Sequence, residues 1–186
     1  MLLYRVFPYL ASAAPHEAGG ALHTRRQGAG RIDNPSLYVI LYASSEPAGA
    51  VAEVFGWRAT WGTAMLAGMP KLPGSVQALA TYEIDETKGA KLLCDLDDAT
   101  ELVRRRLRPS TVISRDRAVS QAWARRLFMR SSWCGVSWWS YYDSRWRSIG
   151  LWEQATLTLV HVEPLTLQHP SILTAAPLLK RRLRHA

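Results

Sequence analysis

The six residues Tyr38 to Ala43, YVILYA, constrain the fold more than any other segment. They make a nearly continuous apolar run of strand length, rich in β-favouring side chains. A run that does not alternate with polar residues is what a strand buried on both faces looks like. Ser44, Ser45 and Glu46 follow and precede Pro47, a helix-start signature that predicts a helix over Ala48 to Phe55 with proline in its first turn. A buried strand that runs at once into a helix is a common place to build a site.

Around this unit the pattern alternates between the two element types. Leu2 to Phe7 reads as a short strand ending at Pro8, and Ala11 to Asn34, rich in Gly, Ala and polar residues, as a long irregular connection. Loops of that length are often functional. Gly62 to Gly74 reads as loop with one helical turn, Val76 to Ile84 alternates as a strand should, and Lys91 to Leu96 is a further strand candidate. Asp97 or Asp98 caps a predicted helix through Leu107, closed by Pro109. Ser114 is the expected cap of a helix from Arg115 to Met129, with Val119, Ala122, Trp123, Arg126 and Leu127 on its apolar-spaced face. Gly135 to Tyr142, Ser148 to Gln154 and Leu157 to Val162 are β-like. Strands at both ends with helices between predict an α+β domain, a mixed or antiparallel sheet with flanking helices.

The 186 residues suffice for one domain with a sizeable core, and 48% apolar against 20% charged residues excludes a disordered spacer. No apolar run approaches the roughly 20 residues of a membrane helix. Arg5 and Pro8 interrupt the apolar N-terminus, which argues against a secretory signal, and the two cysteines, Cys94 and Cys134, make no disulfide framework or four-ligand zinc site. Cytoplasmic residence is the expectation. The net charge is +8, but Lys180, Arg181, Arg182 and Arg184 account for half of it in the last seven residues. The remaining clusters, Arg25/Arg26, Arg104 to Arg108 and Arg125/Arg126/Arg130, are either solvated helix faces or phosphate contacts.

Familiar chemical motifs are missing: there is no phosphate-binding glycine loop of GxxxxGK[ST] type, no HExxH and no GxSxG, and the five histidines lack ligand spacing, so no metal is expected. Trp133, Trp138, Trp139, Trp146 and Trp152 form either a stacking platform for bases or a sheet face packed on the core. Arg31 in the glycine-rich loop, Tyr42 at the end of the buried strand, Glu53 in the following helix and Ser140 on a late strand make a linked polar set. Taken singly, Glu53 reads as an exposed helix glutamate and Arg31 as a surface arginine.

The runs GAGRIDNP (Gly28 to Pro35), VILYAS (Val39 to Ser44), AVAEV (Ala50 to Val54) and GVSWWS (Gly135 to Ser140) resemble the RES-domain family, named for recurrent arginine, glutamate and serine residues. Arg31, Glu53 and Ser140 match those positions, and Tyr42 matches a recurrent tyrosine. LCDLDD, LRPSTV, SRDRAVSQAWAR and PLTLQHP continue the similarity, in the manner of an actinobacterial branch, across Leu3 to Pro170. One departure concerns the loop: many members have Gly-Gly-Arg, an aromatic and Asn, whereas Ile32-Asp33-Asn34 follows Arg31 here.

The resemblance implies an ADP-ribosyltransferase-like fold and a toxin that consumes NAD as substrate, by phosphorolysis with inorganic phosphate or by hydrolysis. Transfer of ADP-ribose to a protein is the alternative. It also implies a neutralising antitoxin with a helix-turn-helix part, an oligomeric toxin–antitoxin complex, and no prosthetic group. The matched residues imply a site of Glu53, Arg31, Tyr42 and Ser140, with Asn34 among the substrate-binding residues. Residues 1–170 are then one RES domain and 171–186 a basic tail, helical or flexible, and DNA contact is expected from the partner. A basic nucleic-acid-binding module is the non-enzymatic alternative.

Overall fold

A proline inside the first strand shows how the sheet is assembled. In the computed structural model, which describes residues 1–24, 27–85, 93–130, 133–152 and 157–184, β1 (Leu2–Tyr9) runs through Pro8 rather than stopping there. It pairs antiparallel along its whole length with β4 (Val76–Ile84), Pro8 opposite Gln77. On its other edge it meets β2 (Leu41–Ser44) only at Tyr4 and Ser44. The missing N–H of Pro8 therefore faces an edge without a strand ladder.

The other elements are the helix α1 (Pro47–Phe55), β3 (Thr60–Gly62) with a 3-10 turn at Thr63–Leu66, β5 (Leu93–Asp95), the helices α2 (Ala99–Arg104), α3 (Pro109–Val112) and α4 (Arg117–Arg130), β6 (Gly135–Trp139), β7 (Arg147–Leu151), β8 (Leu157–Pro164), the helix α5 (Pro170–Leu178) and β9 (Arg182–Arg184). Seven strands form one sheet in the order β5-β6-β7-β2-β1-β4-β8, antiparallel except for β5 with β6. β3 and β9 make a small parallel pair. This is the α+β architecture expected. Expectations for Arg25, Arg26, Lys91, Leu92, Glu153 and Gln154 lie outside the described residues, and among the described residues no helix is long and apolar enough to cross a membrane.

The central strands are covered on both faces, as expected for the buried strand β2, whereas the edge strand β8 is largely exposed and Val39, ahead of β2, is exposed too. Val6 and Leu79 pack under α1 and α5, while Leu3, Phe7 and Tyr82 face the opposite side beside Ala21 of the long connection. The Arg5 guanidinium donates to the carbonyls of Ala21 and His23 at 3.0 and 2.8 Å and fastens that connection down.

Three expectations are corrected. β2 begins at Leu41 because the Gln27 side-chain amide takes both backbone groups of Ile40, at 3.1 and 3.2 Å, in place of a strand partner. The helix capped by Asp98 ends at Arg104, since Arg106 turns left-handed at φ 55. The long helix starts at Arg117 rather than Arg115, with Ala118 N–H bonded to Asp116, and its buried face is Ser120, Trp123, Ala124 and Leu127; Val119, Ala122 and Arg126 are exposed. The tryptophans are largely core: Trp138 and Trp146 are buried, and Trp123 meets Trp138 edge to face at 6.5 Å.

The C-terminal residues are woven into the fold. Ile172, Ala175 and Ala176 of α5 pack with Ala48, Val51 and Ala52 of α1, small side chains that let the helices approach closely. Beyond them β9 pairs with β3, and Arg181 donates twice to the Gly56 carbonyl that ends α1, at 3.1 and 2.6 Å. Because that carbonyl has no helical partner of its own, Arg181→Ala should cost about 1–3 kcal/mol, read as a lower urea midpoint. An unchanged midpoint would mean that these residues are not part of the cooperative unit.

Candidate active site

Strand register places one row of side chains across four strands. Tyr4 of β1 is opposite Ser44 of β2, Ser44 opposite Ser148 of β7, and Ser148 opposite Trp138 of β6. These four form the floor of a cleft of about 340 Å3. Gly30, Arg31 and Tyr42 close one side, Glu53 of α1 another, and Arg117 at the start of α4 a third, with Trp139 and Tyr141 at the rim.

Glu53 is reached by two hydroxyls. Ser140 Oγ donates to its Oε1 at 2.6 Å and Ser148 Oγ donates to the same oxygen at 3.0 Å. Ser140 is itself buried and accepts the Tyr142 N–H at 3.2 Å. One carboxylate oxygen is thus held, while Oε2 accepts no hydrogen bond from the described residues. Two hydroxyls on one carboxylate oxygen fix the position of the Glu53 side chain.

Arg31 rides on a loop shaped by Asp33. The buried Asp33 carboxylate accepts from the N–H groups of Gly28 and Gly30, both at 2.7 Å, and from the Tyr42 hydroxyl at 2.6 Å. A side chain at Gly30 would sit 2.3 Å from that carboxylate and 2.5 Å from the Tyr42 hydroxyl, so only glycine fits. Helix α4 supplies the matching donors: Gln121 Nε2 bonds the carbonyls of Gly28 and Gly30 and Ser120 Oγ that of Arg31, at 3.1, 2.9 and 2.6 Å. The guanidinium donates to the Ser114 carbonyl at 2.7 Å. Burial first, and then the neighbouring Arg117, hold Arg31 below its ordinary pKa, against the opposing pull of Glu53 and Tyr42. Two cations face one carboxylate across the cleft.

Tyr42 has its hydroxyl fully engaged, donating to Asp33 and accepting the Ile32 N–H at 3.0 Å, which leaves its ring as the surface shown to the cleft. Arg31, Tyr42 and Glu53 therefore line one cleft, and Ser140, buried behind it, is joined to them through Glu53. Asn34 is not: its amide donates to the Tyr38 hydroxyl and the Gln121 carbonyl, at 2.8 and 3.1 Å, and ties the loop to α4 away from the lining. Sequence reasoning missed Asp33, Arg117 and Ser148. Asp33 carried a signal, as the residue at which the loop departs from the usual family pattern; Ser148 is placed only by strand register. Among the described residues no group of three or more His, Cys, Asp and Glu is placed to share a metal ion.

A mixed sheet flanked by helices, with a carboxylate and two arginines in a cleft beside a glycine loop, makes an α+β domain with a charged cleft. The RES domain model matches residues 2–171, and the chain belongs to that family. A chain in the crystal structure of the M. tuberculosis MbcT–MbcA toxin–antitoxin complex has the same fold, with TM-score 0.59 and 17% identity over 96% of this chain and 88% of that one. The ADP-ribosyltransferase-like fold is thus the one found. Comparison with curated proteins finds no match.

Two outcomes follow from this geometry. Asp33→Ala orphans two loop N–H groups and the Tyr42 hydroxyl together, an expected loss of about 3 kcal/mol in urea unfolding; a loss under about 0.5 kcal/mol would mean the loop is held by other contacts. Burial raises the phenol pKa of Tyr42 and pushes that of Tyr38 up from 10.0 to about 12. Raised folded-state values mean the stability is fully present below the unfolded value near 10 and is lost as pH climbs towards about 12. The urea midpoint should fall between about pH 10 and about pH 12, and less steeply in Tyr38→Phe; equal slopes would contradict the assignment.

Proposed function

We propose that the protein cleaves the bond between nicotinamide and ribose in NAD and acts as the toxin of a toxin–antitoxin pair. The observation that carries this reading is Glu53, held through one oxygen by Ser140 and Ser148 on the wall of a cleft flanked by Arg31 and Arg117. Nicotinamide in NAD is already a cationic leaving group, so its departure needs no general acid. The barrier lies in the positive charge that spreads over the ribose as an oxocarbenium ion. A fixed carboxylate stabilises that charge without reorganising, and its unbonded oxygen suits a ribose hydroxyl.

The remaining residues divide the substrate among them. Arg31 and Arg117 suit the pyrophosphate, since guanidinium groups bond phosphate oxygens in pairs. Tyr42 offers its ring to the nicotinamide. Ser140 and Ser148 act through Glu53 as positioning residues, and Asn34 supports the loop. The acceptor is water or inorganic phosphate, giving ADP-ribose or its 1″-phosphate; a modified protein band from labelled NAD would indicate transfer instead. Family membership supports NAD as substrate, and the antitoxin in the M. tuberculosis complex supports a neutralising partner protein for this chain. We assign that partner a helix-turn-helix part and place the resulting oligomeric complex in the cytoplasm.

Purified protein incubated with NAD, with and without phosphate, should release nicotinamide. Glu53→Gln should slow release at least about a hundredfold, and Ser140→Ala and Ser148→Ala about tenfold each through kcat. Arg31→Ala should raise KM, while Asn34→Ala should lower stability more than rate. If antitoxin-free wild type releases no nicotinamide under either condition, the reading fails; if Glu53→Gln retains full rate, the site is wrong.

A further inference from the structure

Two arginine clusters visible in the sequence have no part in the cleft, and the fold brings them together. Arg104, Arg105 and Arg106 at the end of α2, and Arg126 and Arg130 on the last turns of α4, line one recess of about 420 Å3 that shares no residue with the Glu53 cleft. Its base is apolar, formed by Leu107, Leu127 and Trp123, all buried.

Ordinary surface electrostatics explain some of these charges. Arg104 and Arg105 share the Glu101 carboxylate, Arg105 at 2.8 Å. Arg104 and Arg130 also occupy last turns of helices, where the carbonyl ends favour a cation. Arg106 and Arg126 have neither excuse, and neither has a carboxylate partner among the described residues. Arg106 moreover stands at φ 55, closing α2 through its N–H to the Val103 carbonyl at 3.0 Å. Glycine is the residue of least strain at that position. An arginine there adds a cation to the rim against both backbone strain and the repulsion of its neighbours. Five guanidinium groups around one recess, offset by one carboxylate, are what a multiply charged anion neutralises, and guanidinium matches phosphate oxygens in geometry.

We propose that this recess is a binding site for a compact polyphosphate, either the phosphate chain of a nucleotide or an inorganic polyphosphate. Shape favours a compact ligand over a nucleic acid, because a specific nucleic-acid contact spreads over roughly 600–2,500 Å2, whereas these arginines converge on one concavity.

Isothermal titration of the full chain with inorganic tripolyphosphate and with ATP, at low salt, tests the site. One equivalent of at least one of them should bind, and the tighter of the two identifies the source. Arg106→Ala/Arg126→Ala should weaken binding at least tenfold. Arg108→Ala/Arg125→Ala, which removes equal charge outside the recess, should change it less than twofold. Arg31→Ala in the cleft should leave it intact. Arg106→Gly suits the left-handed backbone, so it should melt no lower than the wild type while still binding more weakly, which separates binding from folding. The proposal is overturned if neither compound binds, if both double variants lose affinity equally, if Arg31→Ala abolishes binding, or if a single-stranded oligonucleotide binds more tightly through Arg106 and Arg126.

Discussion

Asp33 accepts the N–H groups of Gly28 and Gly30 and the hydroxyl of Tyr42, and through them it joins the long connection to the sheet. The cleft depends on this arrangement. The connection from Ala11 to Asn34, whose described residues form no helix or strand, has many conformations to lose, and only a set of simultaneous bonds selects one of them. Asp33 satisfies the loop's donors from within, while Ser120 and Gln121 satisfy its carbonyls from α4. Arg31 and Tyr42 are therefore placed by one event: the tyrosine that presents its ring to the cleft is also a strut of the loop that carries the arginine.

What could be read from the sequence was whatever depends on neighbours along the chain. The limits of β4 match its alternation, the proline-led helix follows the buried strand, and Asp98 caps α2 through the Thr100 N–H. The early end of α2 and the late start of β2 were not legible, because one rests on a left-handed arginine where glycine is usual and the other on a side-chain amide thirteen residues away that substitutes for a strand. Of the site, Arg31, Tyr42, Glu53 and Ser140 were found through family resemblance rather than local pattern. Ser148 and Arg117 enter only through pairing and packing that a single chain does not advertise: which serine faces α1 is settled by the register of β7 on β2 and β6.

The net charge of +8 resolves in the fold into places with different physics. Arg31 and Arg117 face a carboxylate across a cleft. Arg104 to Arg106 with Arg126 and Arg130 gather on another face. Arg181, counted at first with a basic tail, spends its donors on the end of α1 and so works as a helix cap.

The pairing of α1 with α5 bears on how the chain comes to be folded. The helix that carries Glu53 buries its small-residue face against a helix made on the order of a hundred residues later. During synthesis, the sheet can begin to form while α1 still lacks the surface it packs on. The carboxylate thus takes its final place only once Pro170 to Leu178 have been made, and a ribosome stalled before Pro170 holds a chain whose cleft is unfinished.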